Sequence, residues 1–292
     1  MPDTVISPVA EETKSVTAPL TFIVPQDEKP YFESSALTGT VPKVHFQTED
    51  KPVRINDLRP IADRLSVDAQ GFELVQHRTA IDDLYDDEAV TGAYYQETVA
   101  LLKAHFGADH AVVFDATRRS DAGKGAANPD GNRAPANRVH VDYTPKSGPQ
   151  RAKDTMGEAE VERILANGGR LIQINVWRPI SGPVRRAPLA LADATSVRIE
   201  DLVATDQRFP DRTGEIYHLA HNPAHRFYYA AEMERDEVIL IKSWDSRGSD
   251  DTTYPAHGAF QYPNQDPAAP PRESIELRTY VVFEPGNPKA GA

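Results

Sequence analysis

Two side chains that can bind a metal, His140 and Asp142, stand two positions apart in the segment RVHVDYT (138–144). Successive side chains of a β-strand point to opposite faces, so a strand here would direct the imidazole and the carboxylate to the same side. Two histidines and one carboxylate, with open positions opposite them, form the facial triad of non-haem Fe(II) oxygenases. A His-x-Asp pair also occurs in many proteins without a metal, so a third ligand is needed to support the hypothesis.

Two segments compete to supply that third ligand. The segment HLAHNPAH holds three histidines at spacings of three and four: His218, His221 and His225. Asn222-Pro223 would break a helix there, so those spacings do not define one helical face. The segment is therefore typical of a turn between two strands, with its histidines at the surface. The other candidate is His257 in YPAHGAFQYP, which is followed by small residues that leave room beside a metal.

The segment RESIELRTYVVF (272–283) predicts a strand with two unlike faces. One face is mainly apolar and carries Ile275, Leu277, Thr279, Val281 and Phe283. The other face is polar and carries Arg272, Ser274, Glu276, Arg278 and Tyr280. A guanidinium takes a carboxylate through two hydrogen bonds, and a serine hydroxyl adds a third donor. The polar face is therefore either a site for a carboxylate ligand or an exposed sheet face with Arg-Glu pairs.

Other polar and aromatic residues are weaker candidates for a role in the site. Asn175 and Trp177 share one face of INVWRP, where they would contact substrate or co-substrate, unless Trp177 packs in the core. Tyr143, which follows Asp142, and the FDATRR segment are candidates for cavity lining. Asp245, in SWDS, is either a hydrogen-bond acceptor for a ligand histidine or a turn residue.

The composition limits the classes of function. With 44 acidic and 32 basic residues the formal charge is −12, which disfavours partners rich in phosphate, such as nucleic acid and anionic membranes. The absence of cysteine excludes disulfides, thiolate metal sites and a cysteine nucleophile. No apolar run approaches a membrane span of roughly 18 residues. The beginning of the chain, MPDTVISPVAEETKS, lacks the pattern of a secretion signal, so a cytoplasmic protein is expected.

The elements that must position these side chains are mostly strands. Helical spacing predicts a helix in AYYQETVALLKAHFG, ended by Gly107, and a second helix over 154–169 that begins at Asp154 or Thr155. Strands are predicted in LTFIVP, HAVVFDATRR, RLIQINVW, GEIYHLA, HRFYYAA, DEVILIKSW and SIELRTYVVFE. This pattern favours a mainly β fold, an antiparallel barrel or sandwich with flanking α-helices. Residues 1–18 are expected to form a flexible tail, and residues 19–292 one domain.

Taken together, the segments resemble the Fe(II)/2-oxoglutarate-dependent oxygenases. More narrowly, they resemble the family of secondary-metabolism oxidoreductases that includes the cephamycin-pathway protein CmcJ and fungal gibberellin desaturase. The similarity covers roughly residues 45–285, and each segment is short, but their ordered series is fairly specific. The segments that carry it are FDATRR, HVDYT, INVWRP followed by PLALAD, YHLAHNPAHRFYYAAEMERDEVILIKSWDS, HGAF and RESIELRTYVVF.

This resemblance implies a double-stranded β-helix, or jelly-roll barrel, with its core at about 110–285. It implies three iron ligands, which are His140, Asp142 and His257. It also implies that Arg272 and Ser274 hold the distal carboxylate of 2-oxoglutarate, with Arg278 as the second choice. His257 follows Asp142 by 115 positions, a longer gap than in compact members of the superfamily. His221 lies inside this gap and is therefore kept as a reserve ligand.

The implied activity is that of a non-haem Fe(II) oxidoreductase that uses 2-oxoglutarate and O2 to attack a C–H bond of a small metabolite. Hydroxylation, desaturation and oxidative ring formation are all compatible with the resemblance. Two alternatives stay open: an iron oxygenase that does not use 2-oxoglutarate, and a metal-binding barrel or partner protein without redox activity. A homodimer is expected only because it is the commonest oligomer.

Overall fold

The computed structural model describes residues 14–39, 42–129, 131–248 and 254–291, which fold mainly into β-strands. In chain order the strands are β1 (Val16–Ile23), β2 (Tyr31–Glu33), β3 (Lys43–Val44), β4 (Thr48–Asp57), β5 (Phe72–Gln76), β6 (His110–Ser120), β7 (His140–Val141), β8 (Arg170–Pro179), β9 (Leu189–Ala192), β10 (Leu202–Arg208), β11 (Thr213–Leu219), β12 (Phe227–Tyr229), β13 (Glu237–Asp245), β14 (His257–Ala259) and β15 (Glu273–Phe283). The α-helices are α1 (Ser35–Thr38), α2 (Asp87–Ala89), α3 (Tyr95–Phe106), α4 (Ser147–Met156) and α5 (Glu158–Ala166). Val90–Tyr94 is a π-helical turn, and Arg59–Arg64, Ala194–Ser196 and Ile199–Asp201 are 3-10 turns.

The strands form two sheets. One has five antiparallel strands in the order β5-β13-β8-β15-β6, and the other has ten in the order β1-β4-β12-β9-β14-β7-β11-β10-β2-β3. Side chains from both sheets meet in one core cluster, where Trp177 and Ile239 of the first sheet pack with Leu191 of the second. The expected jelly-roll fold, mainly β with flanking α-helices, is therefore confirmed.

The ten-stranded sheet curls until its first strand lies against its middle. Val139 donates its backbone N–H to the Thr21 carbonyl at 2.9 Å, and Ile23 forms a parallel bridge with Ala220. Phe22, Val141 and residues of β4, β9, β11 and β12 then fill a second core. The curled sheet surrounds the short strand β7. Because β7 has only two residues, its position depends on the strands beside it.

The helices differ in part from the prediction. Helix α3 ends as expected at Gly107, whose φ of 66° is the left-handed conformation that glycine tolerates best. The single helix predicted over 154–169 is wrong, because α4 begins at Ser147 and Gly157, with a φ of 89°, separates it from α5. Asp154 therefore lies inside α4 and caps no helix.

The predicted strands are present, but the beginning of the chain needs a correction in detail. Of the expected tail, residues 1–13 lie outside the described residues, and Val16 already belongs to β1. Among the helices of the described residues, none has the length and the apolar character needed to cross a membrane.

Candidate metal centre

Neighbouring strands bring three potential ligands together. His140 on β7 pairs directly with His257 on β14, and Asp142 follows the end of β7. The ligand atoms of His140, Asp142 and His257 all lie within 4.8 Å of one another. Directly paired residues on adjacent strands point to the same face, which explains why the imidazoles converge. The set of two imidazoles and one carboxylate fits the facial triad that binds Fe(II).

Backbone carbonyls orient both imidazoles. His140 Nδ1 lies 2.8 Å from the carbonyl oxygen of Arg138, and His257 Nδ1 lies 3.1 Å from that of Pro255. A carbonyl oxygen can only accept a hydrogen bond, so Nδ1 carries the proton in each ring and Nε2 keeps its lone pair. Burial, followed by the nearby His140, lowers the pKa of His257 to about 4, so this imidazole is neutral at pH 7 as a ligand must be.

The carboxylate of Asp142 is held through one of its oxygens. Asn175 Nδ2 donates to Asp142 Oδ2 at 2.7 Å, and Arg278 Nε donates to the same oxygen at 3.0 Å. The other oxygen, Oδ1, lies 3.4 Å from His140 Nε2. Burial alone would raise the pKa of Asp142, but Arg278 and then the two histidines bring it well below its ordinary value. The carboxylate is therefore ionised and presents Oδ1 to a metal.

Arg278 is fully engaged by acidic neighbours. Besides Asp142, its Nη1 donates to Asp115 at 2.7 Å and its Nη2 lies 2.9 Å from Glu276. Burial would lower the pKa of Arg278, but these three carboxylates raise it well above its ordinary value. Its guanidinium fork is thus occupied within the protein, and its predicted role as a second-choice anchor for 2-oxoglutarate stays a prediction.

Arg272, in contrast, has unsatisfied donors. Its side chain is 2% exposed, and its Nε and Nη2 atoms have no hydrogen-bond partner in the described part of the chain. Burial, followed by the charge of Arg119, lowers the pKa of Arg272 to about 9. Ser274 lies two positions further along the same face and is also buried. A buried cation without a counter-ion is costly, so this position fits a carboxylate ligand.

A small cavity joins the ligand set to Arg272. It is lined by Arg119, Ala136, His140, Trp177, Leu189, His257, Gly258, Ala259, Arg272, Glu276 and Arg278. The Trp177 ring centroid lies 5.5 Å from the Arg272 guanidinium carbon. Trp177 therefore belongs both to the core, as the simpler interpretation predicted, and to the cavity wall.

The remaining candidates take different positions. Tyr143 packs beside Trp244 and Tyr280 in a cluster covered by α4 and α5. Asp245 pairs with Arg170 at 2.6 Å and with Lys242 at 3.4 Å, while backbone carbonyls accept the Nδ1 protons of His140 and His257. The side chains of the FDATRR segment point alternately to the two faces of β6. Asp115 and Arg119 face the site, whereas Arg118 pairs with Asp87 on the opposite face.

The histidines of HLAHNPAH are not a metal cluster within the described residues. His221 packs edge-on against Phe22, and His225 lies 3.0 Å from Asp201. The expectation that they lie at the surface is wrong for two of them. His218 is 3% exposed and pairs directly with His140, and the side chain of His225 is 1% exposed. Sequence reasoning named His218 but did not predict its position opposite His140, because that position follows from the register of β11 with β7 and not from local spacing.

Known proteins resemble this chain over most of its length. A protein-family profile described as "Oxidoreductase/YMDC permease-like domain" matches residues 20–282. The hydroxylase/desaturase efuI of Hormonema carpetanum is 32% identical over 267 residues, which cover 84% of this chain and 88% of that protein. The Fe(II)/2-oxoglutarate-dependent dioxygenase nvfI of Aspergillus novofumigatus is 31% identical over 262 residues, with coverage of 87% and 91%.

The solved structure of the iron and alpha-ketoglutarate-dependent endoperoxidase NvfI superimposes with a TM-score of 0.81 and 28% identity, covering 94% of this chain and 100% of that one. The chain belongs to the Fe(II)/2-oxoglutarate-dependent oxygenases. The expected family, jelly-roll fold and enzyme class are thereby confirmed, and the oxygenase works with Fe(II), 2-oxoglutarate and O2 as its family does. None of these relatives supports a barrel without redox activity.

Proposed function

We propose that this oxygenase oxidises a C–H bond of a small molecule of secondary metabolism, by hydroxylation, desaturation or oxidative ring formation. One observation carries the proposal: His140, Asp142 and His257 place three ligand atoms within 4.8 Å, beside a cavity with the unpaired guanidinium of Arg272. The names of the relatives, which include a hydroxylase/desaturase and an endoperoxidase, support oxidation of this kind. A cytoplasmic location, a single domain over 19–292 and a homodimer stay predictions.

Each part of the site has a distinct role in this proposal. His140, Asp142 and His257 would hold Fe(II), which supplies the oxidising chemistry with O2 and 2-oxoglutarate. The chain itself supplies orientation: the carbonyls of Arg138 and Pro255 fix the two imidazoles, and two donors fix Asp142. Because His257 is almost fully buried, the site also limits the access of water.

Arg272 and Ser274 would bind the distal carboxylate of 2-oxoglutarate. The two donors of Arg272 that lack partners, Nε and Nη2, lie on one side of the guanidinium, as a carboxylate bound through two hydrogen bonds requires. Ser274 is 1% exposed and adds a hydroxyl at the neighbouring position of that face. Arg272 is favoured over Arg278 because the latter already contacts three carboxylates.

The test is the weak visible charge-transfer band that forms when Fe(II) and 2-oxoglutarate bind together without oxygen. The native protein is expected to show the band, and Arg272→Ala to need much more 2-oxoglutarate while it still binds iron. His140→Ala is expected to lose both the band and iron. Arg163→Ala, which removes a guanidinium that is 46% exposed, is the matched control. A native protein without the band, or an unchanged band in Arg272→Ala, would contradict these assignments.

A further inference from the structure

We propose that the substrate is an organic carboxylate, bound by Arg138 in a subsite that also contains Phe32, Phe46 and His218. This inference rests on the proposed function, because it assigns the Arg272 side of the metal centre to 2-oxoglutarate. It adds a chemical class of substrate and names residues that would select it.

Three histidines form a row across adjacent strands. His140 pairs on one side with His257 of β14 and on the other with His218 of β11, with ring centroids 4.7 Å and 6.4 Å away. The cavity with Trp177 and Arg272 lies at the His257 end of this row. If 2-oxoglutarate takes that end, the side of His140 that remains for the substrate is the one that faces His218.

Aromatic side chains surround His218 at that end. The Phe46 ring centroid lies 5.0 Å from that of His218, and the Phe32 centroid lies 6.0 Å from it. Phe32 is buried and Phe46 is half-buried, so part of this wall is accessible. His218 is anchored through Nδ1, which lies 3.0 Å from the Thr205 hydroxyl. Such a wall suits the apolar body of a small organic molecule.

Arg138 supplies the charge. It precedes His140 by two residues, and its carbonyl oxygen orients the His140 ring, so the backbone fixes this residue relative to the metal centre. Its guanidinium carbon lies 6.0 Å from the Phe32 centroid, at the aromatic wall. The side chain is half-buried, and its Nε is buried with no hydrogen-bond partner in the described parts of the chain.

The absence of a counter-ion distinguishes Arg138 from three other arginines near the barrel. Arg118, Arg170 and Arg278 each contact a carboxylate at 2.6 to 2.7 Å. No carboxylate of the described residues lies within 4.0 Å of the Arg138 guanidinium. A guanidinium in a partly apolar surrounding gains most from a carboxylate that it binds through two hydrogen bonds. An acid with an apolar body therefore matches both parts of the subsite.

Fluorine NMR of two small probes tests the inference. The protein is loaded with Fe(II) and 2-oxoglutarate without oxygen, and para-fluorophenylacetate is compared with its neutral amide. The acid is expected to bind more tightly than the amide, and its signal to broaden more with Fe(II) than with Zn(II), because the subsite adjoins the metal. Arg138→Met is expected to weaken binding of the acid about tenfold or more and to leave binding of the amide unchanged.

The controls separate this inference from the proposed function. Arg208→Met removes an exposed guanidinium that lies 3.5 Å above Tyr31, and it should bind the acid as the native protein does. The charge-transfer band should persist in Arg138→Met, whereas its absence from the native protein would count against the proposed function alone. Equal binding of acid and amide, no binding of the acid, or unchanged binding in Arg138→Met would overturn the carboxylate subsite. Arg138→Lys, which keeps the charge, should bind the acid with intermediate affinity.

Discussion

At the scale of single residues, the position of Asp142 depends on two donors that share one of its oxygens. Asn175 and Arg278 come from neighbouring strands, β8 and β15, where they are directly paired. Because both donors occupy Oδ2, the carboxylate has one oxygen left for a metal. An iron held by this carboxylate would therefore be bound through a single oxygen, which would leave its other positions for the co-substrates.

Arg278→Met tests this positioning role. We expect iron affinity to fall by roughly 10- to 100-fold, the range known for partners of metal ligands, because Asp142 would lose an ion pair and rotate more freely. Asn175→Ala should have a similar but smaller effect, since it removes a neutral donor. The measurement is iron binding by titration in the absence of oxygen.

The comparison with Arg272 makes that test specific. In Arg272→Met, iron affinity should stay near the native value and only the affinity for 2-oxoglutarate should fall. Arg163→Met provides the exposed control. If Arg278→Met instead bound iron normally and lost 2-oxoglutarate, Arg278 would be the co-substrate anchor, the second choice of the sequence prediction.

At the scale of elements, α4 packs closely against the five-stranded sheet at Gly148, which has no side chain. A Cβ at Gly148 would lie 2.3 Å from Trp244 Cδ1, a distance that atoms do not adopt. Gly148→Ala should therefore destabilise the protein by about 1 to 3 kcal/mol, as overpacking of a core does. Urea unfolding measures the difference.

Gly92→Ala is the matched control for that substitution. Nothing lies within 4 Å of a Cβ at Gly92, which is also in a helical turn. There alanine should stabilise by about 0.5 to 1 kcal/mol, since it restricts the unfolded chain more than glycine. Equal unfolding curves for the two variants would show that α4 can move away from Trp244 at little cost.

The long strands could be predicted from the sequence, but the elements that carry the ligands could not. Strands β8, β13 and β15 are runs of β-branched and aromatic residues long enough to show their own periodicity. Strands β7 and β14 have two and three residues, and they exist only because neighbouring strands hold them. Strand β4, TEDKPVRIND, is too charged to be recognised as a strand from local pattern.

The candidate site shows the same limit. The three expected ligands could be named from the spacing of HVDYT and from the family resemblance, and the fold brings them together. Other features of the site depend on the register between distant strands. These are the hydrogen bonds that hold Asp142, the ion pairs of Arg278 and the inward position of His218. Local spacing carries no information about such pairings.

At the scale of the whole molecule, several carboxylates of this acidic chain form buried ion pairs and hydrogen bonds. The net charge is −12, yet Asp142, Asp201 and Asp245 are largely buried and paired. Burial alone would raise the pKa of Asp245, but Arg170 brings it below its ordinary value. Burial opposes ionisation of Asp201 as well, but hydrogen bonds from Asn222, Arg198 and His225 lower its pKa from 3.8 to about 2.

These contacts predict that the metal-free protein loses stability in acid. A carboxylate with a lowered pKa in the folded state stabilises fully above its ordinary pKa, and this contribution disappears as the pH falls towards the folded value. For Asp201 the window runs from about pH 4 to about pH 2, and the shift corresponds to roughly 2 kcal/mol. Asp201 connects the start of β10 to the turn before β12, so its loss should loosen both.

Asp201→Asn should therefore be less stable than the native protein at pH 7 by up to about 2 kcal/mol, and its stability should fall less steeply below about pH 4. Urea unfolding over a series of pH values measures both effects, and Asp211→Asn, at an exposed position, is the control. The two unfolding free energies should converge as the pH falls through about 2, because the native Asp201 becomes protonated there too. Parallel curves would mean that the contacts of Asp201 contribute equally with and without its charge.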